Sequence, residues 1–232
     1  MTPARISVVS LSGGLDSCVA AAVARSEGYR LALLHADYGQ LTEARERRAF
    51  EAIADFYGAE RRLVVPFAGL RAIGGSALTD PGIALPEGDL GREGVPVSYV
   101  PFRNAHLLAT AVSWAEVLGA QAIHVGFVEE DSSGYPDCRE AFLRAFEAAA
   151  ELGTKPTTRI SLKAPLIHLR KRAIVALGVA LGAPLELTWS CYQGSDLACG
   201  RCDSCLLRLR GFKEAGVADP IPYAHIPDNL RI

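Results

Sequence analysis

Apolar residues in this chain follow two alternating periods. Short runs of strand character occupy Ile6 to Leu11, Leu31 to His35, Arg62 to Val65 and Ala122 to Phe127. Between and after them, apolar positions recur at helical spacing up to about Glu27, then from about Glu43 to Tyr57, Asn104 to Leu118 and Cys138 to Leu152. A last helix is expected from about Leu169 to Leu181, where Gly182 and then Pro184 supply a stop. Strands alternating with helices predict an α/β fold on a doubly wound, mostly parallel sheet of at least four strands. Gly74 to Val97 has neither period and reads as a long loop, a kind of segment that is usually functional or mobile.

Composition narrows the classes. With 232 residues, half of them hydrophobic, the chain can bury one sizeable core. The reading is a nucleotide-binding α/β domain over residues 1–185 and a small cysteine-bearing C-terminal segment over 186–232, packed on the same domain. A net charge of -2 gives no general attraction to a phosphate backbone, so a small-molecule substrate is favoured over nucleic acid. The first residues lead straight into a strand without the apolar core and cleavage site of a signal peptide, and no apolar run is long enough to span a bilayer. A cytoplasmic location without membrane contact is expected. In a reducing compartment, the six cysteines need a purpose other than disulfides.

The densest chemistry lies directly after the first strand, in Leu11, Ser12, Gly13, Gly14, Leu15, Asp16, Ser17 and Cys18. Adjacent glycines let backbone approach an anion, and a helix N-terminus aims its amides and dipole at it. Ser12 and Ser17 add hydroxyl donors, and Asp16 is a carboxylate suited to Mg2+ on phosphate oxygens. The Lys-Ser/Thr ending of the Walker loop and the third glycine of the dinucleotide fingerprint are missing. Ser12 to Ser17 instead resembles the SGGxDS loop of the PP-loop ATP pyrophosphatases. That resemblance implies ATP held by its pyrophosphate end, with the α-phosphate open to attack and AMP as a product.

Cys191, Cys199, Cys202 and Cys205 share one short segment, the last three as Cys-x-x-Cys-x-x-Cys. Thiolates at this spacing wrap a cation, Zn2+ first, with an iron–sulfur cluster as the competing reading. Four thiolates would complete a closed site, which is structural rather than catalytic. Cys18 reads most simply as a small apolar residue at a helix start.

Other candidates flank the carboxyl ends of strands, where open α/β sheets bind ligands. Gln40, after the second strand, has both donor and acceptor for a nucleotide. Arg103 is placed to clamp a phosphate or carboxylate, and Asn104 beside it is equally suited to cap a helix. The block from Glu129 to Arg139, which includes Asp131, Ser133, Tyr135 and Asp137, is denser in polar and turn residues than a reversal of direction needs. Lys163 is a candidate cation for transition-state charge, with an ordinary exposed lysine as the alternative. Lys171 and Arg172 read as surface residues, and His35, His106, His124 and His168 lack metal-like spacing. Trp189 is read as core packing, with stacking on a heterocycle as the alternative.

Taken in order, SGGLDS, DYGQ, VPFRN, SGYPDCR, KAPL and the terminal cysteines closely resemble the 7-cyano-7-deazaguanine synthase family, over about residues 6 to 210. The resemblance implies an adenine nucleotide alpha hydrolase-like fold and a homodimer. It implies a ligase that turns 7-carboxy-7-deazaguanine, ammonia and ATP into a nitrile for queuosine-type nucleosides. It also implies ATP held by Ser12, Gly13, Gly14, Asp16 and Ser17, a deazapurine pocket partly lined by the block from Asp131 to Arg139, and one structural Zn2+ on the four cysteines. Together with the residue readings above, catalytic roles are expected at Asp16, Ser17, Arg103 and Lys163 and substrate contacts at Asn104, Asp131, Ser133, Tyr135 and Asp137. One position departs from the family pattern: VPGRN usually carries glycine where this chain has Phe102, and a bulky side chain is ill suited to a glycine's backbone. The rival readings are a PP-loop tRNA sulfur transferase, which calls for a basic face and reactive thiols, and a non-catalytic zinc-containing nucleotide-binding module.

Overall fold

The computed structural model describes residues 5–88, 90–91, 94–129 and 134–231. Five strands form one parallel sheet in the order β3-β2-β1-β4-β5: β1 (Ile6–Ser10), β2 (Arg30–Asp37), β3 (Arg61–Pro66), β4 (Ala122–Val125) and β5 (Ser161–Lys163). Seven helices accompany them among the described residues: α1 (Leu15–Ser26), α2 (Glu43–Phe56), α3 (Ala68–Ile73), α4 (Arg103–Leu118), α5 (Glu140–Gly153), α6 (Lys171–Ala180) and α7 (Asp203–Ala215).

Alternation along the central strand divides the core. Val8 pairs in register with Ala32 and Ile123 and faces Leu108, Ala111 and Ala115 of α4 and Leu143 of α5. Val9 points the other way, to Cys18 and Ala21 of α1 and Phe50 and Ile53 of α2. Both faces of the sheet are therefore covered, as a parallel sheet requires. Leu15 and Val19 of α1 pack with Ile174 of α6 and Phe212 of α7, which ties the cysteine-bearing segment to the helix that follows the phosphate loop. After β1 the chain winds to one side through β2 and β3, then returns to place β4 on the other side of β1. The carboxyl ends of β1 and β4 thus flank a topological switch point.

Most elements lie where the pattern places them, and the differences have physical reasons. The strand expected to reach Phe127 leaves the ladder at Val125, and the helix expected from Cys138 starts at Glu140 after a short 3-10 turn, Pro136–Cys138. The edge strand β5 has a single apolar residue, Leu162, and so no period to read. The helix over Lys171–Ala180 is not the last. α7 follows it, and its start coincides with the cysteine spacing that reads as a ligand loop. The Gly74 to Val97 segment has no helix or strand among its described residues and is docked: Gly88 N donates to Arg201 O at 2.7 Å, and Leu85 packs on the cysteine cluster.

Candidate active site

The phosphate loop leaves β1 at the switch point and turns into α1. Gly13 has φ 89°, and a Cβ there would stand 2.7 Å from Glu46 O, so α2 leaves no room for a side chain. Gly126, just past β4, is equally constrained, because its Cβ would meet Ser17 N at 2.6 Å. Ser17 Oγ donates to Gly14 O at 3.0 Å and lies 3.1 Å from Ser12 Oγ, while Gly14 N donates to Ser12 Oγ at 3.2 Å. The two hydroxyls and the first amides of α1 therefore converge on one cavity of about 250 Å³.

Opposite the loop, charge and aromatic surface line the same cavity. Lys171 Nζ, 6% exposed as a residue, sits 2.8 Å from both carboxylate oxygens of Asp16. Arg103 Nη1 donates to Tyr38 Oη at 3.0 Å, and its guanidinium carbon lies 5.1 Å from the Tyr38 ring centre and 5.9 Å from that of Tyr135. Tyr135 Oη bonds Ser98 Oγ at 3.0 Å and lies 3.3 Å from Tyr192 Oη. Glu46 adds a carboxylate held by Thr42 Oγ1 at 2.8 Å and Gln40 Nε2 at 3.1 Å, and burial raises it above the ordinary glutamate range. The site offers phosphate donors at one end and planar aromatic and guanidinium surfaces at the other.

The four cysteines close beside it. Their Sγ atoms all lie within 4.8 Å of one another, and Cys199 and Cys205 are 3.9 Å apart. Zinc–sulfur bonds of about 2.3 Å at tetrahedral angles set neighbouring sulfurs ~3.8 Å apart, whereas a multi-iron cluster spreads its thiolates wider. Backbone amides of Gln193, Gly194 and Cys199 donate to Cys191 Sγ at 3.4, 3.1 and 3.2 Å, as they do to thiolates in a metal knuckle. The residues present fit one metal ion.

A family model described as queuosine biosynthesis protein QueC matches residues 6–216. The chain belongs to this family. It is 56% identical over 231 residues to the 7-cyano-7-deazaguanine synthase of Acidobacterium capsulatum, covering 97% of this chain and 100% of that one. It is 53% identical over 223 residues to the enzyme of that name from Chlorobium phaeobacteroides, covering 96% and 99%. Among solved structures, a 4-thiouridine synthetase in complex with RNA and ATP aligns with TM-score 0.52 at 19% identity, over 99% of this chain and 50% of that one, and shares the fold.

Within this QueC-family chain, the structure sorts the residues singled out by sequence. Leu11, Ser12, Gly14, Leu15, Asp16, Ser17, Arg103, Asn104 and Tyr135 line the cavity. Gly13 shapes the turn, and Cys18 turns into the core, where burial pushes its thiol up to about 12. Gln40 stands behind the wall: its Oε1 accepts from Tyr38 N at 2.9 Å, so it orients Tyr38 and Glu46. Asn104 is not the cap of α4, since Phe102 precedes the helix. Asn104 N donates to Asp137 Oδ2 at 3.0 Å, and its side chain donates to Cys138 Sγ at 3.2 Å. Asp137 is buried behind it, with Oδ1 unpartnered among the described residues. Asp131 and Ser133 lie outside the described residues.

Lys163 is placed away from the cavity. From β5 its Nζ reaches Glu27 Oε2 at 2.5 Å and lies over the Tyr29 ring, towards the amino ends of the strands. The lysine at the phosphate loop is Lys171, which its position at the start of α6 disguises as a surface residue. Glu46 and Arg208 were also missed. Arg208, 1% exposed, lines the cavity while paired to Asp219 at 2.8 Å. No sequence signal marks Arg208, because α7 mixes Cys205, Arg208 and Gly211 among its buried positions and so has no clear apolar period.

Proposed function

We propose that this chain is an ATP-dependent ligase that converts 7-carboxy-7-deazaguanine and ammonia into 7-cyano-7-deazaguanine, in the biosynthesis of queuosine-type nucleosides in the cytoplasm. The observation that carries this reading is one cavity in which a PP-type phosphate loop with a Lys171–Asp16 pair faces the Arg103, Tyr38 and Tyr135 surface. Near-full-length relatives named for this reaction support it.

The amides of Leu15 to Ser17 and the hydroxyls of Ser12 and Ser17 would bind the β- and γ-phosphates and leave the α-phosphorus exposed. The substrate carboxylate attacks that phosphorus and pyrophosphate leaves. Ammonia then adds to the acyl carbon, AMP departs, and the amide forms with loss of a proton. In a second round the amide oxygen attacks the α-phosphorus of another ATP. Loss of AMP and of the remaining nitrogen protons gives the nitrile. Lys171 offsets charge on the departing pyrophosphate. Arg103 offers its guanidinium to the heterocycle or its carboxylate, and Glu46 supplies an acceptor for N–H donors.

Mg2+ arriving on ATP would be held by Asp16, whose carboxylate is 29% exposed, with Lys171 then turning to a phosphate. Zn2+ on Cys191, Cys199, Cys202 and Cys205 would supply structural cross-linking and no open coordination position. The small-molecule cavity and net acidic charge favour this ligase over a tRNA-modifying enzyme, and a homodimer accords with the family pattern.

Pyrophosphate release by the purified protein tests the proposal. It should require ATP and 7-carboxy-7-deazaguanine, and its continuation beyond about one equivalent per chain should require ammonium as well. Equal release without the deazapurine would contradict it.

A further inference from the structure

Trp189, Ser190 and Cys191 are consecutive in the chain and belong to two sites at once. On one side, Trp189 N donates to Gly13 O at 2.8 Å and Leu15 N reaches Ser190 Oγ at 3.5 Å, so this segment lies along the phosphate loop. On the other side, Cys191 is a candidate metal ligand, and the Trp189 indole Nε1 donates at 3.1 Å to O of Gly194, whose own amide donates to Cys191 Sγ. Trp189 is 1% exposed and has the Arg45 guanidinium 4.1 Å from its ring centre.

A second grip comes from α7, which also carries Cys205. Arg208 Nη1 donates to Thr188 Oγ1 at 2.7 Å and lies 3.5 Å from Ser190 Oγ, while Asp219 fixes the guanidinium from behind. The Thr42 hydroxyl, whose one proton is directed to Glu46 at 2.8 Å, also lies 3.3 Å from Cys191 O.

We propose that the four-cysteine centre acts, through Trp189 and Ser190, as a positioning element for the ATP phosphate loop rather than only as a staple of the C-terminal segment. The inference rests on the reading of that loop as an ATP site. Four thiols brought this close have no strong mutual attraction without a cation, so a knuckle that loses its ion relaxes. The wall against which Gly13 to Leu15 are set relaxes with it. Metal and nucleotide are then coupled ligands, and the coupling must be reciprocal: whatever factor metal adds to ATP affinity, ATP adds to metal affinity.

The experiment uses the full chain loaded with one equivalent of zinc. Zinc affinity is measured by competition with a chromophoric chelator, with and without saturating ATP and with no deazapurine present. Zinc is expected to bind about tenfold more tightly with ATP, and calorimetry is expected to show ATP binding about tenfold more weakly to the stripped protein. Trp189→Phe, which keeps an aromatic ring under Arg45 but cuts the link to Gly194, should shrink the factor to threefold or less. Should stripping unfold the protein, the chelator competition on loaded protein and the Trp189→Phe comparison still decide. Zinc affinity within twofold with and without ATP, or an undiminished factor in Trp189→Phe, would overturn the proposal. Failure of the zinc-loaded protein to bind ATP at all would instead overturn the reading of the loop.

Discussion

Phe102 turns its backbone into the left-handed region, with φ 57° and ψ 21°, immediately before the helix that presents Arg103. No other described residue but glycine has positive φ. A bulky side chain in that region costs about 1–3 kcal/mol, and here the ring is 56% exposed, with edge contacts to His106 and Phe142. Phe102→Gly should therefore be more stable than Phe102→Ala by about 1 kcal/mol in urea unfolding, since alanine keeps the strain and loses the ring. Equal stabilities would show that the turn is unstrained. The sequence was legible here because the family pattern has glycine at this position, and the structure supplies the physical reason. Lysine was not legible in the same way. Lys163 and Lys171 both follow apolar stretches, and only tertiary packing decides which reaches Asp16. Replacing Lys171 by methionine should lower kcat/KM by about 10²–10³-fold with little loss of fold, measured by steady-state kinetics beside thermal melting. Lys163→Met should cost far less activity.

Elements were readable from the sequence to the extent that they carry a period. β1, β2 and the helices α1, α2 and α4 bury apolar faces, β3 half-buries Leu63, Val64 and Val65, and all of them fall within a residue or two of the pattern. β5 and α7 do not. One is a three-residue edge strand, and the other mixes Cys205, Arg208 and Gly211 among its buried positions. Junctions between elements are where the site gains its tolerances. At Gly126 the exit from β4 touches the start of α1, and an added Cβ would lie 2.6–2.8 Å from backbone atoms of Asp16 and Ser17. Gly126→Ala should displace the phosphate loop, weakening ATP binding at least tenfold by calorimetry and destabilising the fold by about 1–3 kcal/mol. Unchanged ATP affinity would mean that the loop is not seated against β4.

Across the whole molecule, the carboxyl ends of the strands hold the proposed chemistry, while the amino ends hold a buried polar network with no part in it. His124 is fully buried in β4: Ser7 Oγ lies 2.7 Å from its Nδ1, and its Nε2 stands 3.6 Å from Glu27, too far for a hydrogen bond. Burial lowers its pKa to about 4, helped by the Lys163 and Arg5 charges and opposed by Glu27. The unfolded chain takes up this proton near 6.5 and the folded chain only near 4, so the histidine's contribution is complete above about pH 6.5 and is lost as pH falls towards 4. Glu27, held below the usual carboxylate range, loses its own contribution at still lower pH. Urea midpoints should fall between pH 7 and 5, and His124→Asn should flatten that slope. A slope unchanged by the substitution would place the titration elsewhere. Among the described residues no helix is long and apolar enough to cross a membrane.

The central claim is that one cavity activates first a carboxylate and then the amide made from it, and ends in a nitrile. Mass spectrometry of a reaction supplied with 15N-ammonium, ATP and 7-carboxy-7-deazaguanine tests it most directly. The account predicts 7-cyano-7-deazaguanine carrying one 15N, with two AMP formed for each nitrile. A reaction that stops at the amide with one AMP, or that consumes ATP without incorporating 15N, would contradict it.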